Sequence, residues 1–375
     1  METRLFPSIG AELSLLGYGC MRFPTLPDGK IDRAESERLL TRAHGAGVNY
    51  FDTGWGYHGG ESEPFLGTVL SKWDRSSYFL ATKLPCWLLK DPDDPERFFS
   101  RQLERCRVDY FDFYLAHSIT EKNYEILNAT GACDYLARQK AEGKIRRLGF
   151  SFHDRPELLE RMLTEHDWDF VQLQLNYLDW DLQDAKRQYE IAAAHGLPVV
   201  VMEPVRGGAL ATLSEQARAV LNKADPESSV ASWAVRFAAS LPGVMTVLSG
   251  MTAMDQVEDN LNTMTPFRPL SDSERAVLDE ALALYRSAAT IPCTGCRYCM
   301  DCPAGVDIPR VFSIYNQARI KDSREDFDGS WRLLPESARP DACVGCNACV
   351  SSCPQHIDIP GRLAEIGAYS RERTE

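Results

Sequence analysis

Over most of its length this sequence has little cysteine, and it has fewer basic than acidic residues and no long apolar run. Four of the 12 cysteines are spread over residues 1–292. The net charge of −13 disfavours nucleic acid and anionic membranes as partners, because such binding depends mainly on Lys and Arg. No segment reaches the ~18 apolar residues of a transmembrane helix, and the N-terminus, METRLFPSIG, lacks the pattern of a signal peptide. We therefore expect a soluble, cytoplasmic protein.

What the first part of the sequence does contain is a series of short apolar runs separated by amphipathic segments. The runs are Leu15–Gly19, Asn49–Thr53, Tyr78–Lys83, Phe111–His117, Arg147–Phe152, Phe170–Asn176, Pro198–Glu203 and Val244–Gly250. Eight such runs with helical crossovers predict a parallel sheet buried on both faces. The predicted fold of residues 1–285 is therefore α/β, a (β/α)8 TIM barrel. An open α/β sheet is the alternative, although no Gly-x-Gly-x-x-Gly follows the first run.

Polar side chains stand at the ends of six of these runs. In a barrel of this type the reactive groups lie at the carboxyl ends of the strands and in the loops that follow. A polar strand end can also be a simple cap, but six of them would converge on one end of the barrel. They are Asp52, Lys83, His117, Ser151, Asn176 and Glu203.

Tyr57 lies in a Gly-rich loop shortly after the second run. A tyrosine with a pKa near its ordinary value of ~10 is a poor proton donor at pH 7, so a catalytic tyrosine needs a cation close by. Lys83 can supply that charge, Asp52 can hold the lysine in place, and His117 can orient a carbonyl oxygen. Together they form a device for protonating an alkoxide while a hydride arrives at carbon.

The motifs around these residues resemble those of the aldo/keto reductases over about residues 10–265. The matching segments are LGYGCMRF, NYFDTGWGYHGGESEPFLG, FLATKL, VDYFDFYLAHS, GKIRRLGFSFHD, FVQLQLNYLD, VVVMEPVRGGAL and VLSGMTAMDQVEDNL. The resemblance implies a catalytic tetrad of Asp52, Tyr57, Lys83 and His117. It also implies that Ser151 and Gln172 bind the carboxamide of a nicotinamide cofactor.

The sequence departs from the family pattern around the cofactor. The departures are Phe152 in place of an asparagine, Met202 where an aromatic would stack on the nicotinamide, with acidic Glu203 next to it, and Gly250, Met251 and Gln256 near the usual Lys and Arg. Asn260 of the final acidic-Asn pair is retained. Without Lys or Arg, a 2′-phosphate loses charge-assisted hydrogen bonds of ~1.5–3 kcal/mol each, which disfavours specificity for NADPH.

Two glycine-containing segments remain as candidates for binding a cofactor phosphate. Arg206-Gly207-Gly208 follows the seventh run, and Ser249-Gly250 ends the eighth. Loops after strands seven and eight form the common phosphate site of this barrel, and glycine lets backbone N–H groups approach an anion. The site suits FMN about as well as NAD(P)H, and the glycines can instead be simple turns.

The last 83 residues contain the other eight cysteines, in two runs. The second run is the C-x2-C-x2-C-x3-C-P pattern of two-cluster ferredoxins, and the first has one residue fewer before its last cysteine. Paired C-x2-C segments can also bind zinc, but zinc needs neither the third cysteine nor the Cys-Pro ending. We therefore predict two [4Fe-4S] clusters in residues 286–375.

In ferredoxins with this pattern the fourth cysteine of each run binds the other cluster. The 40 residues between the runs include the helix-like segment VFSIYNQARIKD, so we expect a small, mainly helical ferredoxin-like domain. One cluster would take Cys293, Cys296, Cys299 and Cys353, and the other Cys343, Cys346, Cys349 and Cys302.

The whole chain resembles aldo/keto reductases with a C-terminal ferredoxin-like domain. That implies an oxidoreductase acting on a small carbonyl-type substrate, with electrons relayed from or to a ferredoxin-like partner. Clusters carry single electrons whereas a hydride carries two, and a flavin converts between them readily, so an FMN-dependent reductase is one alternative. The others are a non-catalytic electron-transfer subunit and clusters that serve only to hold the fold.

Overall fold

The computed structural model describes residues 1–300 and 302–372, and these form two compact units. The first unit comprises residues 1–204 and 234–270, and the second comprises residues 205–233 and 271–375. The predicted boundary between residues 285 and 286 is therefore not where the units divide, since residues 205–233 and 271–285 group with the cysteine-rich segment. That domain boundary stays a prediction.

The first unit contains a closed barrel of parallel strands. All eight predicted apolar runs form its strands, which confirms the predicted (β/α)8 fold over the described residues. The order around the barrel is β10-β3-β4-β5-β6-β7-β8-β9. These strands are β3 (Leu16–Gly19), β4 (Tyr50–Asp52), β5 (Phe79–Leu84), β6 (Phe111–Ile119), β7 (Ile145–Phe152), β8 (Phe170–Gln174), β9 (Val199–Met202) and β10 (Val244–Ser249).

An antiparallel hairpin of β1 (Thr3–Phe6) and β2 (Ala11–Ser14) precedes the barrel and was not predicted. Ile9, Ala11 and Leu13 of this hairpin region pack in one buried cluster with Tyr50 and Phe170. Those two aromatic residues are the first residues of their strands. The hairpin therefore covers the end of the barrel at which the strands begin, opposite the predicted site.

Helices fill the connections between strands, as the amphipathic segments predict. Asp32 caps α1 by accepting a hydrogen bond from the Glu35 N–H, and Gly47 beyond the helix has φ of 95°. The helices in the described residues are α1 (Arg33–Gly45), α2 (Ser62–Leu70), α3 (Asp94–Cys106), α4 (Glu121–Ala129), α5 (Ala132–Ala141), α6 (Pro156–Glu165), α7 (Asp179–Leu182), α8 (Ala185–Ala194), α9 (Glu215–Ala224), α10 (Val230–Ala239), α11 (Met254–Thr263), α12 (Asp272–Ser287), α13 (Ile308–Lys321), α14 (Arg324–Arg332) and α15 (Ile359–Arg371). Within the described ranges, every helix is too short or too polar to span a bilayer.

The second unit is mainly helical, as predicted. In it α9 packs against α12, and α13 packs against α14 and α15. Asp307 and Asp358, in the repeated GVDIP and HIDIP segments, cap α13 and α15 by accepting backbone hydrogen bonds. The apolar core of this unit consists of Ile291, Val306, Ile308, Val311, Phe312, Ile314, Tyr315, Ala318, Phe327, Leu334, Ile357, Ile359, Leu363 and Ile366, and several of the eight clustered cysteines pack on it.

Candidate active site and cluster-binding segments

The four predicted tetrad residues come together at the carboxyl ends of neighbouring strands. Asp52 ends β4, Lys83 lies near the end of β5, and His117 lies in the last part of β6. Tyr57 stands in the turn between β4 and α2. All four side chains are buried, with Lys83 at 1 % and Asp52 at 3 % exposure.

Lys83 and Asp52 form a buried ion pair beneath the tyrosine. Lys83 Nζ donates to Asp52 Oδ1 over 2.5 Å and to the Thr53 carbonyl over 2.7 Å. Burial raises the pKa of Asp52, and the charge of Lys83 opposes that shift. An unpaired charge in this position is strongly unfavourable, so removing either partner would leave the other at a large cost in free energy.

Tyr57 lies against both the lysine and the histidine. Lys83 Nζ is 5.2 Å from the centre of the Tyr57 ring, and the Tyr57 and His117 ring centres are 5.8 Å apart. Burial nevertheless raises the pKa of Tyr57 well above its ordinary value, and the charge of Asp52 adds to that shift. Burial, the largest cause, and the charge of Asp52 therefore outweigh the acidifying effect that was expected from Lys83.

His117 is held as a neutral imidazole. Burial lowers the pKa of His117 well below its ordinary value, and the charge of Lys83 contributes in the same direction. His117 Nδ1 is buried and has no hydrogen-bond partner in the described part of the chain. A neutral imidazole next to Tyr57 can donate one N–H bond to a carbonyl oxygen or accept one at its other nitrogen.

Gly54 leaves the space in which the Tyr57 and His117 rings meet. A Cβ added at Gly54 would lie 3.1 Å from Tyr57 Cζ and 3.3 Å from His117 Cε1. Both distances are shorter than ordinary van der Waals contacts, so a side chain here would push the tyrosine hydroxyl aside.

We predict that Gly54→Ala lowers kcat by about tenfold, because displacing a reacting group by a fraction of an ångström misaligns proton transfer. Steady-state kinetics would measure the change. Gly56→Ala in the same loop is the matched control, since its added Cβ meets nothing within 4 Å. An equal loss in both variants would contradict this reason.

An ion pair that the sequence did not indicate crosses the same end of the barrel. Arg22 Nη2 donates to Glu203 Oε1 over 2.8 Å, and the Arg22 side chain lies against Gly250. Asn176 Nδ2 donates to the Glu203 carbonyl oxygen over 3.0 Å, and Glu203 has φ of 54°. The charge of Glu203 raises the pKa of Tyr57 and that of Arg22 lowers it, so the pair lies within electrostatic range of the tetrad. The only features of the sequence that could have indicated this pair were the basic Arg22 after the first barrel strand and the acidic Glu203 after the seventh.

Ser151 and Gln172 lie side by side on neighbouring strands, as the resemblance implies. Ser151 pairs with Gln172 in the β7–β8 ladder, and the Ser151 hydroxyl accepts a hydrogen bond from the Ser118 N–H over 2.7 Å. Gln172 Oε1 is buried and has no partner within the described residues. This oxygen fits a donor N–H on a bound ring, which a nicotinamide carboxamide and a flavin both provide.

The predicted cofactor-phosphate residues fall into two places. Asn260 on α11 donates to the Ser249 hydroxyl over 3.0 Å, and Gln256 Oε1 accepts from the Thr252 N–H over 2.8 Å, so these side chains line the loop after β10 with Gly250. Arg206, Gly207 and Gly208 instead belong to the second unit.

In the second unit Arg206 is 2 % exposed, and its Nη2 donates to Gln355 Oε1 over 2.9 Å. This buried hydrogen bond competes with the expectation that Arg206 binds a cofactor phosphate, and that expectation stays a prediction.

The eight predicted cluster cysteines are brought together in two groups. Burial raises the pKa of the Cys299 thiol to about 12, with further contributions from Cys296, Cys293 and Cys353 nearby. The thiol of Cys349 is likewise within electrostatic range of Cys343, Cys302 and Cys346. The fourth cysteine of each run therefore lies with the first three of the other run.

The loops that carry these cysteines repeat the same backbone conformation. Gly295 and Gly345 each have φ of 66°, and Arg297 and Asn347 have φ of 67° and 61°. The Gly295 N–H donates to Cys293 Sγ over 3.3 Å. Among residues 1–300 and 302–372, no three His, Cys, Asp or Glu side chains are placed to hold a single metal ion. Thiols grouped in fours, one of which accepts a backbone N–H bond, fit [4Fe-4S] clusters, whose four thiolates bind four separate irons.

Two family models match the chain. The aldo/keto reductase family matches residues 15–283, and a 4Fe-4S dicluster domain matches residues 292–357. The second match supports iron-sulfur clusters over zinc at the cysteine runs.

Curated relatives match about three quarters of the chain over nearly their whole length. An L-galactose dehydrogenase from Arabidopsis thaliana is 24% identical, over 76% of this chain and 94% of its own. An NADH-specific methylglyoxal reductase from Escherichia coli is 26% identical, over 73% of this chain and 96% of its own.

Solved structures likewise match about three quarters of the chain. The aldo-keto reductase AKR11C1 from Bacillus halodurans in its holo form has a TM-score of 0.64 and 25% identity, covering 75% of this chain and 96% of its own. An aldo-keto reductase from Klebsiella pneumoniae in complex with NADPH, 22% identical with a TM-score of 0.61, shares the fold over 76% of this chain and 96% of its own. The protein is thus an oxidoreductase that belongs to the aldo/keto reductase family and carries a C-terminal 4Fe-4S dicluster domain.

Proposed function

We propose that this protein reduces, or reversibly oxidises, a small carbonyl-type substrate at the tetrad, with electrons relayed through two [4Fe-4S] clusters. The observation that carries the proposal is the buried Lys83–Asp52 pair, which lies beneath a protonated Tyr57 and beside a neutral His117. A merely structural barrel has no need for two buried charges at this end, because burying them is costly.

Each tetrad residue has a role that follows from its surroundings. The raised pKa of Tyr57 keeps its proton in place at pH 7 until a stronger base forms next to it. Lys83 stabilises the negative charge that develops on the substrate oxygen and on the tyrosine, and Asp52 holds the lysine in position through their hydrogen bond. His117 orients the carbonyl oxygen by donating a hydrogen bond as a neutral imidazole.

The hydride would be supplied by NAD(P)H or FMN when either is bound. Ser151 and Gln172 would hold the ring, and Ser249, Gly250, Gln256 and Asn260 would approach its phosphate. The E. coli relative is an NADH-specific reductase, which supports NADH, and the Arabidopsis relative is a dehydrogenase, which supports the oxidative direction. Met202 stands where the family pattern has an aromatic that stacks on the nicotinamide, and the Lys and Arg that usually hold the 2′-phosphate are absent, which favours FMN as a second candidate.

For the clusters we propose the two ligand sets that the thiol groups define. Cys293, Cys296, Cys299 and Cys353 would hold one, and Cys343, Cys346, Cys349 and Cys302 the other. When bound, the clusters exchange single electrons, and a ferredoxin-like protein is the proposed partner. The alternative function, a non-catalytic electron-transfer subunit, would not require an intact tetrad.

The test is to purify the protein without oxygen and to measure iron, sulfide and flavin, together with methylglyoxal reduction by NADH, NADPH or dithionite-reduced methyl viologen. We expect about eight irons and eight sulfides per chain. Turnover with a pyridine nucleotide and no flavin supports nicotinamide. A flavin that denaturation releases, with turnover from methyl viologen, supports FMN. Zinc in place of iron would contradict the cluster proposal, and inactivity with methylglyoxal and a wider set of aldehydes and ketones would contradict the catalytic one.

A further inference from the structure

The segment Arg206-Gly207-Gly208 has a backbone that L-residues rarely adopt. Its φ values are 50° for Arg206, 63° for Gly207 and 95° for Gly208. Two of these positions are glycine, but an arginine in the left-handed region is disfavoured and persists only where neighbouring contacts hold it. Such strain often marks a position with a function.

The contacts that hold the segment come from the first cysteine run and from the residue that follows the second run. A Cβ added at Gly207 would lie 2.0 Å from the carbonyl oxygen of Thr294, the residue after Cys293. The Arg206 guanidinium donates to Gln355 Oε1 over 2.9 Å, and Gln355 is two residues after Cys353. Thr294 and Gln355 are buried, at 3 % and 6 % exposure.

Cys293 and Cys353 are far apart in sequence but belong to the same thiol group, the one around Cys299. Arg206 and Gly207 therefore join the two chain segments that would bind one particular cluster. The Arg206 side chain itself is 2 % exposed, so water screens its charge little.

We propose that Arg206 raises the reduction potential of the cluster held by Cys293, Cys296, Cys299 and Cys353, an inference that rests on the proposed cluster function. A guanidinium stays charged at all accessible pH values. The cluster gains one negative charge on reduction, so a fixed buried cation beside it stabilises the reduced form more than the oxidised form. Gln355 fixes the guanidinium next to the ligand segment, and the rigid Gly207 contact fixes the backbone that carries it.

The experiment is a redox titration of the anaerobic full-length protein, followed by electron paramagnetic resonance. In Arg206→Gln we expect one of the two clusters to become at least tenfold harder to reduce, a shift of 59 mV for one electron, while the other keeps its potential. Arg206→Lys, which retains the charge, should lie closer to the wild type. Arg362→Gln is the matched control, since it also removes one positive charge in this unit, from an exposed pair with Glu365.

Unchanged potentials in an Arg206→Gln protein with full iron content would overturn the inference, and so would equal shifts of both clusters. If Arg206→Gln does not retain iron, the proposal can be tested instead by electron paramagnetic resonance of the wild type and Arg206→Lys, both labelled with ¹⁵N-arginine. The proposal is supported if one reduced cluster of the wild type shows a coupling to nitrogen and the lysine variant does not show this coupling. It is refuted if the wild type shows no such coupling. A wild-type protein without iron would instead refute the proposed cluster function.

Discussion

Replacing Tyr57 with phenylalanine should lower kcat for carbonyl reduction by a factor of about 10²–10⁴, the usual contribution of a positioned general acid. The change removes one hydroxyl and leaves the ring against Lys83 and His117, so iron content and the thermal midpoint should stay near those of the wild type. Because the pKa of Tyr57 is raised, wild-type kcat should also show no fall with rising pH below about pH 10. Steady-state kinetics from pH 6 to pH 10 would measure both effects.

Tyr50→Phe is the matched control for this variant. Tyr50 is fully buried in β4, and its hydroxyl has no hydrogen-bond partner within the described part of the chain. The Tyr50→Phe variant should retain the wild-type kcat. Turnover by Tyr57→Phe at the wild-type rate with every substrate that the wild type reduces would eliminate Tyr57 as the acid and favour the electron-transfer subunit.

Lys83→Met should both abolish turnover and destabilise the barrel by about 3–5 kcal/mol, because it leaves the Asp52 carboxylate buried without its cation. The double variant Asp52→Asn/Lys83→Met should regain most of that stability, since neither charge remains, but none of the activity. Urea unfolding monitored by circular dichroism would measure the free energies, and kinetics on the same samples would separate folding from catalysis.

The destabilisation of Lys83→Met should also depend on pH. Burial already raises the pKa of Asp52, and losing Lys83 raises it further. A carboxyl group with a raised pKa binds a proton more readily in the folded than in the unfolded state, so lowering the pH stabilises the folded state. The variant should therefore recover stability relative to the wild type as the pH falls from 8 towards the unfolded-state pKa of about 4. A deficit that does not change with pH would contradict the unpaired-carboxylate explanation.

The barrel and the positions of the tetrad residues could be predicted because both follow from local patterns in the sequence. Each strand is a run of residues buried on both faces, as in β6, where all nine residues are buried. Asp52, Lys83 and His117 stand at the ends of such runs, and parallel strands bring their ends together. The hairpin of β1 and β2 was missed because β1 alternates between exposed and half-buried residues and is not a buried run.

Contacts between residues distant in sequence could not be predicted. Arg22 and Glu203 are separated by 181 positions, and although Glu203 stood out as a polar strand end, nothing in the sequence linked it to Arg22. Arg206 and Gln355 are separated by 149 positions, and the glycines next to Arg206 were equally consistent with a phosphate loop. Which loop packs against which segment depends on tertiary structure that periodicity and motif spacing do not encode.

The repeated conformation of the two cysteine loops affects the direction in which electrons would be transferred through the protein. Two carriers built on the same backbone, with matching left-handed residues at Gly295 and Gly345, would begin with nearly equal affinities for an electron. A chain that moves electrons one way needs a downhill step between its carriers. That asymmetry has to come from side chains outside the repeated loops, and Arg206 adjoins the ligand segments of one set. A residue from the loop after β9 would then determine at which of the two clusters electrons enter.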